Sequence, residues 1–436
     1  MKLNNLKKYF FFLIMLSIFS ISIFSVNVKF ETAYLNNQIH RDDYVDKIGL
    51  ELDIQLFSNI GYKLGCGFIH DGQRLSGWED ELLGHRWYNS SGYFYHESDK
   101  LSIKLGLQEF SIGLGDEYPL FFREEVGSFN GLSLKWSPTD YFTLRNSLIL
   151  VRFAPYGVVG AEGDAGFSKS LYHRSYTFKY SDLRFGFHDS IFFIDRNFDP
   201  WYAFSLLPYT AVQEIRHMSG PEKEEINDNA MIGAFISYEP GKLRVYTDLL
   251  IDDINANVIF DPSNQTVTKL AANAGIDYHT DSLTLSLEGA ISTAYVFART
   301  KSSLPYEYSK GEKENVDNYI IEENMLGYKY GENSSSFILK LEHSFGFYGS
   351  YENVLIGTRE PWNPWHGEST YEQGMNFFLG GVSETRNILK IGFKKNLTLF
   401  SILSKIDTFF GICIKNINNE NTYLPLLGIL ISLDWK

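Results

Sequence analysis

The sequence is poor in the features that stabilise or mark several other protein classes. Its 436 residues contain only two cysteines, Cys66 and Cys413, whose spacing gives neither a disulfide framework nor a metal motif. We interpret each as a small apolar residue that fills space within a strand. Lys and Arg number 39 against 53 Asp and Glu, so the basic surface of a nucleic-acid-binding protein is absent. We therefore expect no nucleic-acid partner.

Long apolar runs are missing beyond the N-terminus, which excludes a bundle of membrane-spanning helices, since each needs about 20 apolar residues. Residues 1–25 predict a secretory signal peptide, because three lysines precede the apolar stretch 10–24 and Ser25 is a small residue suited to cleavage. The mature domain is then 26–436. A retained signal anchor is the alternative, because the apolar stretch approaches spanning length.

Aromatic residues, in contrast, are abundant. The chain has 35 Phe and 28 Tyr, yet its mean hydropathy is only −0.17, as expected when apolar and polar residues alternate. In residues 174–193 (RSYTFKYSDLRFGFHDSIFF) the alternation predicts two strands joined by a tight turn at 181–182. Asp189 falls on the apolar parity, where a carboxylate in lipid would be costly. We expect either a bulge near His188 or a covering of protein over Asp189.

The connections between such strands alternate in length. Short turns are predicted at 137–140, 181–182, 239–242 and 279–282, and long polar stretches lie between them. Outer-membrane barrels have short periplasmic turns, long extracellular loops and alternating strands of about ten residues. The sequence therefore predicts an all-β transmembrane antiparallel β-barrel of about 16–18 strands in the cell outer membrane. A secreted or periplasmic all-β protein is the alternative.

Polar side chains on the parity opposite to the apolar stripe are predicted to line the lumen, where water would solvate them. The residues selected are Lys179, Arg184, His188, Arg244, Glu288 and Lys340.

Three segments carry a family resemblance: LGLQEFSIGLGDEYPLFF (105–122), HDSIFFIDRNFDPWYAFSLLPYTAVQE (188–214) and DNAMIGAFISYEPGKLRVYTDLLIDDINAN (228–257). Together they resemble the Wzi-type capsule-assembly outer-membrane family over the middle third to half of the chain. The resemblance implies an 18-stranded, largely plugged barrel that binds surface polysaccharide through extracellular loops and is not an enzyme. A long helical insertion is not evident here, so the resemblance does not extend to the family's helical plug and cap.

Aromatic residues beside charged ones in three loops suit sugar binding, because rings stack on C–H faces while charged groups bond hydroxyls. The candidate ligand-binding residues are Trp78, Arg86, Trp87, Trp201, Trp362 and Trp365. The competing interpretation places these rings in the aromatic girdle at the membrane interface.

Catalytic and metal motifs are not found. The sequence has no G-x-S-x-G, phosphate-binding or dinucleotide fingerprint, and its histidines lack a zinc-like spacing.

We expect a barrel that is not an enzyme, holds no cofactor, and binds or organises surface polysaccharide or other envelope material, with a partly plugged lumen. A water-filled porin is the alternative, and a secreted adhesin is a third. Outer-membrane lipid is an expected partner, with a monomer by default and a trimer if the chain is a porin.

Overall fold

A computed structural model describes most of the chain. The described residues are 24–37, 41–70, 86–124, 127–152, 169–194, 196–219, 228–253, 269–293, 296, 298–299, 306–307, 326–357, 382–399, 402–417 and 420–435.

Alternating strands dominate these residues, as the period-two pattern predicts. The strands are β1 (Phe24–Asn37), β2 (Arg41–Phe57), β3 (Ile60–His70), β4 (Arg86–Glu97), β5 (Leu101–Glu109), β6 (Ser128–Thr139), β7 (Phe142–Arg152), β8 (Lys169–Tyr180), β9 (Leu183–Ile194), β10 (Asn229–Tyr238), β11 (Leu243–Asp253), β12 (Lys269–His279), β13 (Leu283–Ser292), β14 (Ala298–Arg299), β15 (Tyr306–Glu307), β16 (Ser334–His343), β17 (Phe347–Gly357), β18 (Val382–Leu399), β19 (Ile402–Ile417) and β20 (Glu420–Trp435). Two helices lie between β9 and β10: α1 (Pro200–Phe204) and α2 (Tyr209–Ser219).

Eighteen of these strands form one antiparallel sheet, and β14 and β15 form a separate two-stranded sheet. Each strand of the large sheet pairs with its neighbours along the chain. The first strand also pairs with the last, with Val28 opposite Trp435 and Asn36 opposite Leu427. The ring of pairings is therefore closed, which leaves no sheet edge. An 18-stranded β-barrel confirms the predicted fold at the upper end of the expected range.

Short and long connections alternate along the chain from β2 to β18. The predicted turns at 181–182 and 239–242 join β8 to β9 and β10 to β11, whereas 34 residues (195–228) separate β9 from β10. In barrels of this kind the short-turn end is periplasmic. The predicted signal boundary remains a prediction, since residues 1–23 are outside the described part and β1 begins at Phe24.

Alternate residues of each strand point to opposite sides of the barrel wall and differ in exposure. In β9, Phe185 and Phe187 point outward and are 40% and 56% exposed, whereas the inward-facing His188 is 6% exposed. The two cysteines, on β3 and β19, are both free.

Asp189 shares the outward parity of Phe187, yet it is only 7% exposed. The pairings of β9 with β8 and with β10 run without a shift of register over their described residues. The predicted bulge is therefore not present there. The second alternative holds, because the segment with α1 and α2 covers Asp189.

Two apolar clusters lie on opposite faces of the same strands. The larger one is inside the ring and includes Phe121, Tyr118 and Phe192. The smaller one is outside and joins Ile191 and Phe193 of β9 to residues of α1 and α2. None of the helices in the described residues is long and apolar enough to cross a membrane.

Candidate functional site

The interior of the barrel is crossed by residues 110–124, here called the plug segment, which connects β5 to β6. Phe121 packs 4.5 Å from the ring of His188 on β9, measured between centroids. Tyr118 donates to Glu352 on β17 over 2.8 Å. Strands well apart around the closed ring thus contact one segment, so the plug segment lies inside the barrel rather than above it.

Glu288 on β13 holds the middle of the plug segment through backbone donors. Its carboxylate accepts hydrogen bonds from the N–H groups of Asp116 (3.1 Å), Glu117 (2.9 Å) and Tyr118 (2.9 Å). A Cβ at Gly115 would lie 2.4 Å from Glu288 Oε1, so the close approach requires glycine. One wall carboxylate therefore satisfies three backbone donors that would otherwise be left without partners inside the barrel.

Glu352 forms a second anchor, shared with residues 326–333, here called the second inner segment. Its Oε1 accepts from the hydroxyls of Tyr118 and Tyr330, each over 2.8 Å, and Lys329 Nζ lies 2.8 Å away. Burial and the adjacent Glu352 charge raise the pKa of the Tyr118 hydroxyl, so Tyr118 stays protonated and donates. The same two causes raise the pKa of Tyr330.

Basic side chains of the wall complete the contacts. Arg244 donates to Leu114 O (2.7 Å) and pairs with Asp116 (3.0 Å) and with Asp277 of the wall (3.1 Å). Lys340 pairs with Glu117. The plug segment therefore has charges of both signs around it, and Arg244 and Lys340 each pair with one of its carboxylates.

A buried polar chain runs along the wall behind Phe121. Ser190 Oγ lies 2.6 Å from His173 Nδ1, His173 Nε2 lies 3.2 Å from His188 Nδ1, and His188 Nε2 lies 3.5 Å from Asp248 Oδ1. Asp248 also accepts from the Leu114 N–H over 3.3 Å. All four side chains are buried, with Ser190 and Asp248 fully so. The chain joins β8, β9 and β11 to the plug segment.

The residues predicted to line the lumen fall into two groups. His188, Arg244, Glu288 and Lys340 all contact the plug segment. Lys179 and Arg184 lie near the short turn at 181–182, where both are exposed. Arg184 pairs with Glu239 over 2.8 Å, next to the short β10–β11 turn. The structure thus separates a packed upper interior from an exposed lower one.

Of the residues predicted to bind glycan, Trp201 is the one whose side chain lies within the described part of the chain. Trp78, Trp362 and Trp365 lie outside the described residues. Arg86 and Trp87 begin β4, and their side chains are also outside the described part. Trp201 lies on α1, on the outer surface of the wall, and is 65% exposed. Both interpretations of Trp201, a glycan-binding loop residue and a residue of the interfacial girdle, stay predictions.

Several residues of the interior contacts were missed by sequence reasoning, among them Asp248, Glu352, Tyr118 and Phe121. A usable signal was present, since the plug segment contains the apolar run YPLFF (118–122) in a connection expected to be polar. Such a run is buried against something. Within the described residues, no group of three or more His, Cys, Asp or Glu side chains is placed to hold a metal ion.

Comparison of the sequence with protein families and with curated proteins found no match. Solved structures do match. OccD3 (OpdP) of Pseudomonas aeruginosa is similar with a TM-score of 0.53 at 12% identity, covering 94% of this chain and 91% of that one. Wzi of Escherichia coli, an outer-membrane protein involved in group 1 capsule assembly and a carbohydrate-binding β-barrel, has a TM-score of 0.53 at 11% identity, covering 94% and 83%.

The outer-membrane protein OpdK of Pseudomonas aeruginosa has a TM-score of 0.50 at 9% identity, covering 94% of this chain and 98% of that one. Identities this low establish the fold alone. The chain has the fold of an outer-membrane β-barrel, which supports the predicted location in the cell outer membrane. Wzi is one of several structures matched at this level, so the resemblance to Wzi-type proteins holds for the fold.

Proposed function

We propose that this outer-membrane β-barrel binds or organises surface polysaccharide or other envelope material at its long-loop end. The plug segment carries the proposal. Its backbone and side chains are anchored to Glu288, Glu352, Asp248 and Arg244 across the upper interior. A wide diffusion pore needs that space free, whereas a binding barrel does not. That Wzi, a carbohydrate-binding β-barrel, shares this fold adds support.

We propose further that the protein is not an enzyme. The polar chain from Ser190 to Asp248 has the residue types of a nucleophile, base and orienting acid. Ser190 is fully buried, however, with 0% of its surface exposed. Its hydroxyl is closed to a substrate carbonyl, so the chain is best explained as a structural network of buried polar groups.

Binding to the cell's own surface polysaccharide tests the proposal. The purified polysaccharide is titrated against the barrel in detergent, and Trp78, Trp87, Trp362 and Trp365 are replaced together by Ala. We expect affinity to fall by at least about tenfold, since aromatic stacking residues contribute about 1–3 kcal/mol when they are replaced by Ala. Trp136→Ala is the matched control, because Trp136 is 44% exposed on β6 near a short turn. Unchanged binding by the fourfold variant would reject the proposal.

A channel for small polar solutes is the second candidate. It is favoured by the exposed interior charges near the short turns, such as Lys179 and Arg184. Single-channel recording in planar bilayers separates the two functions. The binding barrel should be silent or show only small, irregular openings, and large regular conductance steps would favour the porin.

A further inference from the structure

The segment 196–216, here called the outer hairpin, folds down over the outside of the barrel wall. Tyr202 stacks on Phe193, with ring centroids 5.9 Å apart, and Tyr172 Oη accepts from the Asp199 N–H over 3.1 Å. Phe193 and Tyr172 both have the outward parity that Phe187 shows in β9. The hairpin therefore covers the face of the wall that would otherwise meet lipid.

The turn between α1 and α2 is held by an ion pair that also points outward. Arg174 on β8 pairs with Asp189 on β9 over 3.0 Å, and their side chains are 6% and 10% exposed. Arg174 donates to the carbonyls of Ser205 (2.5 Å) and Leu207 (2.8 Å).

Two N–H groups of the turn also have acceptors. The Tyr209 N–H donates to Asp189 (3.1 Å), and the Leu207 N–H donates to Ser205 Oγ (3.0 Å). Irregular backbone is tolerated at membrane depth only where its polar groups are satisfied within the protein. The Arg174–Asp189 pair meets that requirement at the turn.

The depth of this pair follows from the strand geometry. Asp189 lies six residues beyond Leu183, the first residue of β9 (189 − 183). Six residues extend about 20 Å along a strand, or about 15 Å along the membrane normal at the usual tilt, within an apolar band about 25 Å tall. The turn of the outer hairpin is therefore level with the outer half of that band.

The side chains of the outer hairpin change in character along this depth. At the turn, Leu206 is 94% exposed and Leu207 50% exposed. At the opposite end, Arg216 pairs with Asp199 (2.6 Å) and Arg196 pairs with Asp228, the residue before β10. Apolar groups thus lie at the acyl-chain level and ionic groups nearer the headgroup level, as in interfacial segments.

A groove of about 400 Å³ opens between the two helices. Its lining is almost entirely apolar and includes Trp201, Phe204, Leu207, Val212, Ile215 and Arg216. Phe204 is 78% exposed and Ile215 47% exposed, so the groove is open to the outside. In the apolar belt of the barrel, Phe187 and Ile232 are exposed immediately beside the pair at Asp189, which bonds the hairpin's turn.

We propose that the outer hairpin is inserted into the outer leaflet and that its groove holds one acyl chain of a membrane lipid. The hydrogen bonds of the turn, the depth of Asp189, the gradient from leucines to ion pairs and the exposed apolar belt beside Asp189 all favour lipid. A protein partner would have to approach the groove through the membrane.

Spin labelling measures the insertion. A nitroxide is attached at Leu206→Cys in a Cys66→Ala, Cys413→Ala background, and the protein is placed in vesicles of palmitoyl-oleoyl phosphatidylcholine. We expect high collision with oxygen and low collision with a water-soluble nickel chelate, as at Phe187→Cys in the lipid-facing belt. Lys242→Cys in a short turn is the aqueous control. If Leu206→Cys behaves like Lys242→Cys, the insertion is rejected. Phe204→Cys supplies a second position.

Native mass spectrometry tests the acyl chain. Delipidated barrel is incubated with dipalmitoyl phosphatidylethanolamine, and the tightly retained lipids are counted. We expect Ile215→Trp, which fills the groove, to retain one lipid fewer than the unmodified protein. Ile236→Trp is the matched control, since Ile236 is 45% exposed on β10 outside the groove. Heat-modifiable gel migration verifies that both variants are folded. Equal lipid counts in the two variants would overturn the groove assignment.

Discussion

The inner and outer faces of β8 and β9 are both covered in their upper halves, but the two coverings are held by different chemistry. Inside, Phe121 of the plug segment packs against His173 and His188, and the rest of the segment hydrogen-bonds to carboxylates on distant strands. Outside, the apolar contacts of the hairpin, such as that of Tyr202 with Phe193, are joined by one buried ion pair, Arg174 with Asp189, which also bonds the hairpin's backbone.

The difference follows from the surroundings of each face. The inner contacts include partly exposed cations such as Lys340 and Arg244, at 31% and 25%, so water shares in solvating them. Water does not help to solvate the Arg174–Asp189 pair, because the pair lies beneath protein at membrane depth. Loss of one partner should therefore lower the stability of the outer covering more than that of the inner covering, because several other contacts also hold the inner one.

The largest effect is expected from Arg174→Ala. It leaves the Asp189 carboxylate buried without its cation and two carbonyls without a donor, which costs about 3–5 kcal/mol for a broken buried pair. Hydrogen exchange at residues 205–212 should rise strongly while the barrel strands stay protected. Lys242→Ala, which removes an exposed pair with Asp281, is the control. Unchanged protection in Arg174→Ala would mean that the hairpin is held by its apolar contacts alone.

A smaller effect is expected from Glu288→Ala on the inner face. Three backbone N–H groups lose their acceptor, at about 1–3 kcal/mol for each buried donor left unsatisfied. Since water can enter the interior and compensate in part, the measured loss should lie at the lower end. Single-channel conductance should increase as the plug segment loosens, and Glu342→Ala, an exposed carboxylate near a short turn, should not change it. If the conductance of Glu288→Ala does not change, the other anchors suffice.

The third effect in order of size is expected from alkaline pH, which should weaken the inner covering. The folded pKa of Tyr118 and of Tyr330 lies above the ordinary tyrosine value because of burial and Glu352. Their contribution is therefore fully present below about pH 10 and is lost as the pH rises through the folded pKa. The protection factors at residues 114–120, taken relative to the base-catalysed exchange of an unfolded chain at the same pH, should stay constant up to about pH 10 and then fall. Tyr118→Phe should cost about 1 kcal/mol at neutral pH. Loss of protection well below pH 10 would contradict this account.

The smallest effect is expected from Arg184→Ala near the short turns. Arg184 and Glu239 are 48% and 31% exposed, and such pairs contribute at most about 1 kcal/mol. The change in the free energy of unfolding should shrink further in high salt. A loss as large as that of Arg174→Ala would remove the distinction between buried and exposed pairs.

Much of the wall was predictable, since period-two alternation assigns the strands and the alternation of turn and loop lengths assigns the barrel. The outward parity of Asp189 also predicted either a bulge near His188 or a covering of protein, and the structure has the covering. The anchors of the plug segment were less accessible. Glu352 and Asp248 are ordinary inward-facing carboxylates in sequence, and nothing local distinguishes them from Asp53 or Glu342. Which carboxylate meets a backbone N–H depends on where a distant loop folds.

The sequence by itself determined the membrane-spanning barrel, because the side-chain period and the turn chemistry are local properties of each hairpin. Only the tertiary structure decided that residues 110–124 turn inward and residues 196–216 fold outward. Both segments combine aromatic, apolar and charged residues in comparable proportions, so composition does not separate them. The direction of each segment is set by partners elsewhere in the chain: Glu288 and Glu352 for residues 110–124, and Arg174 with Asp189 for residues 196–216. These partners satisfy backbone groups that neither water nor lipid would satisfy equally well.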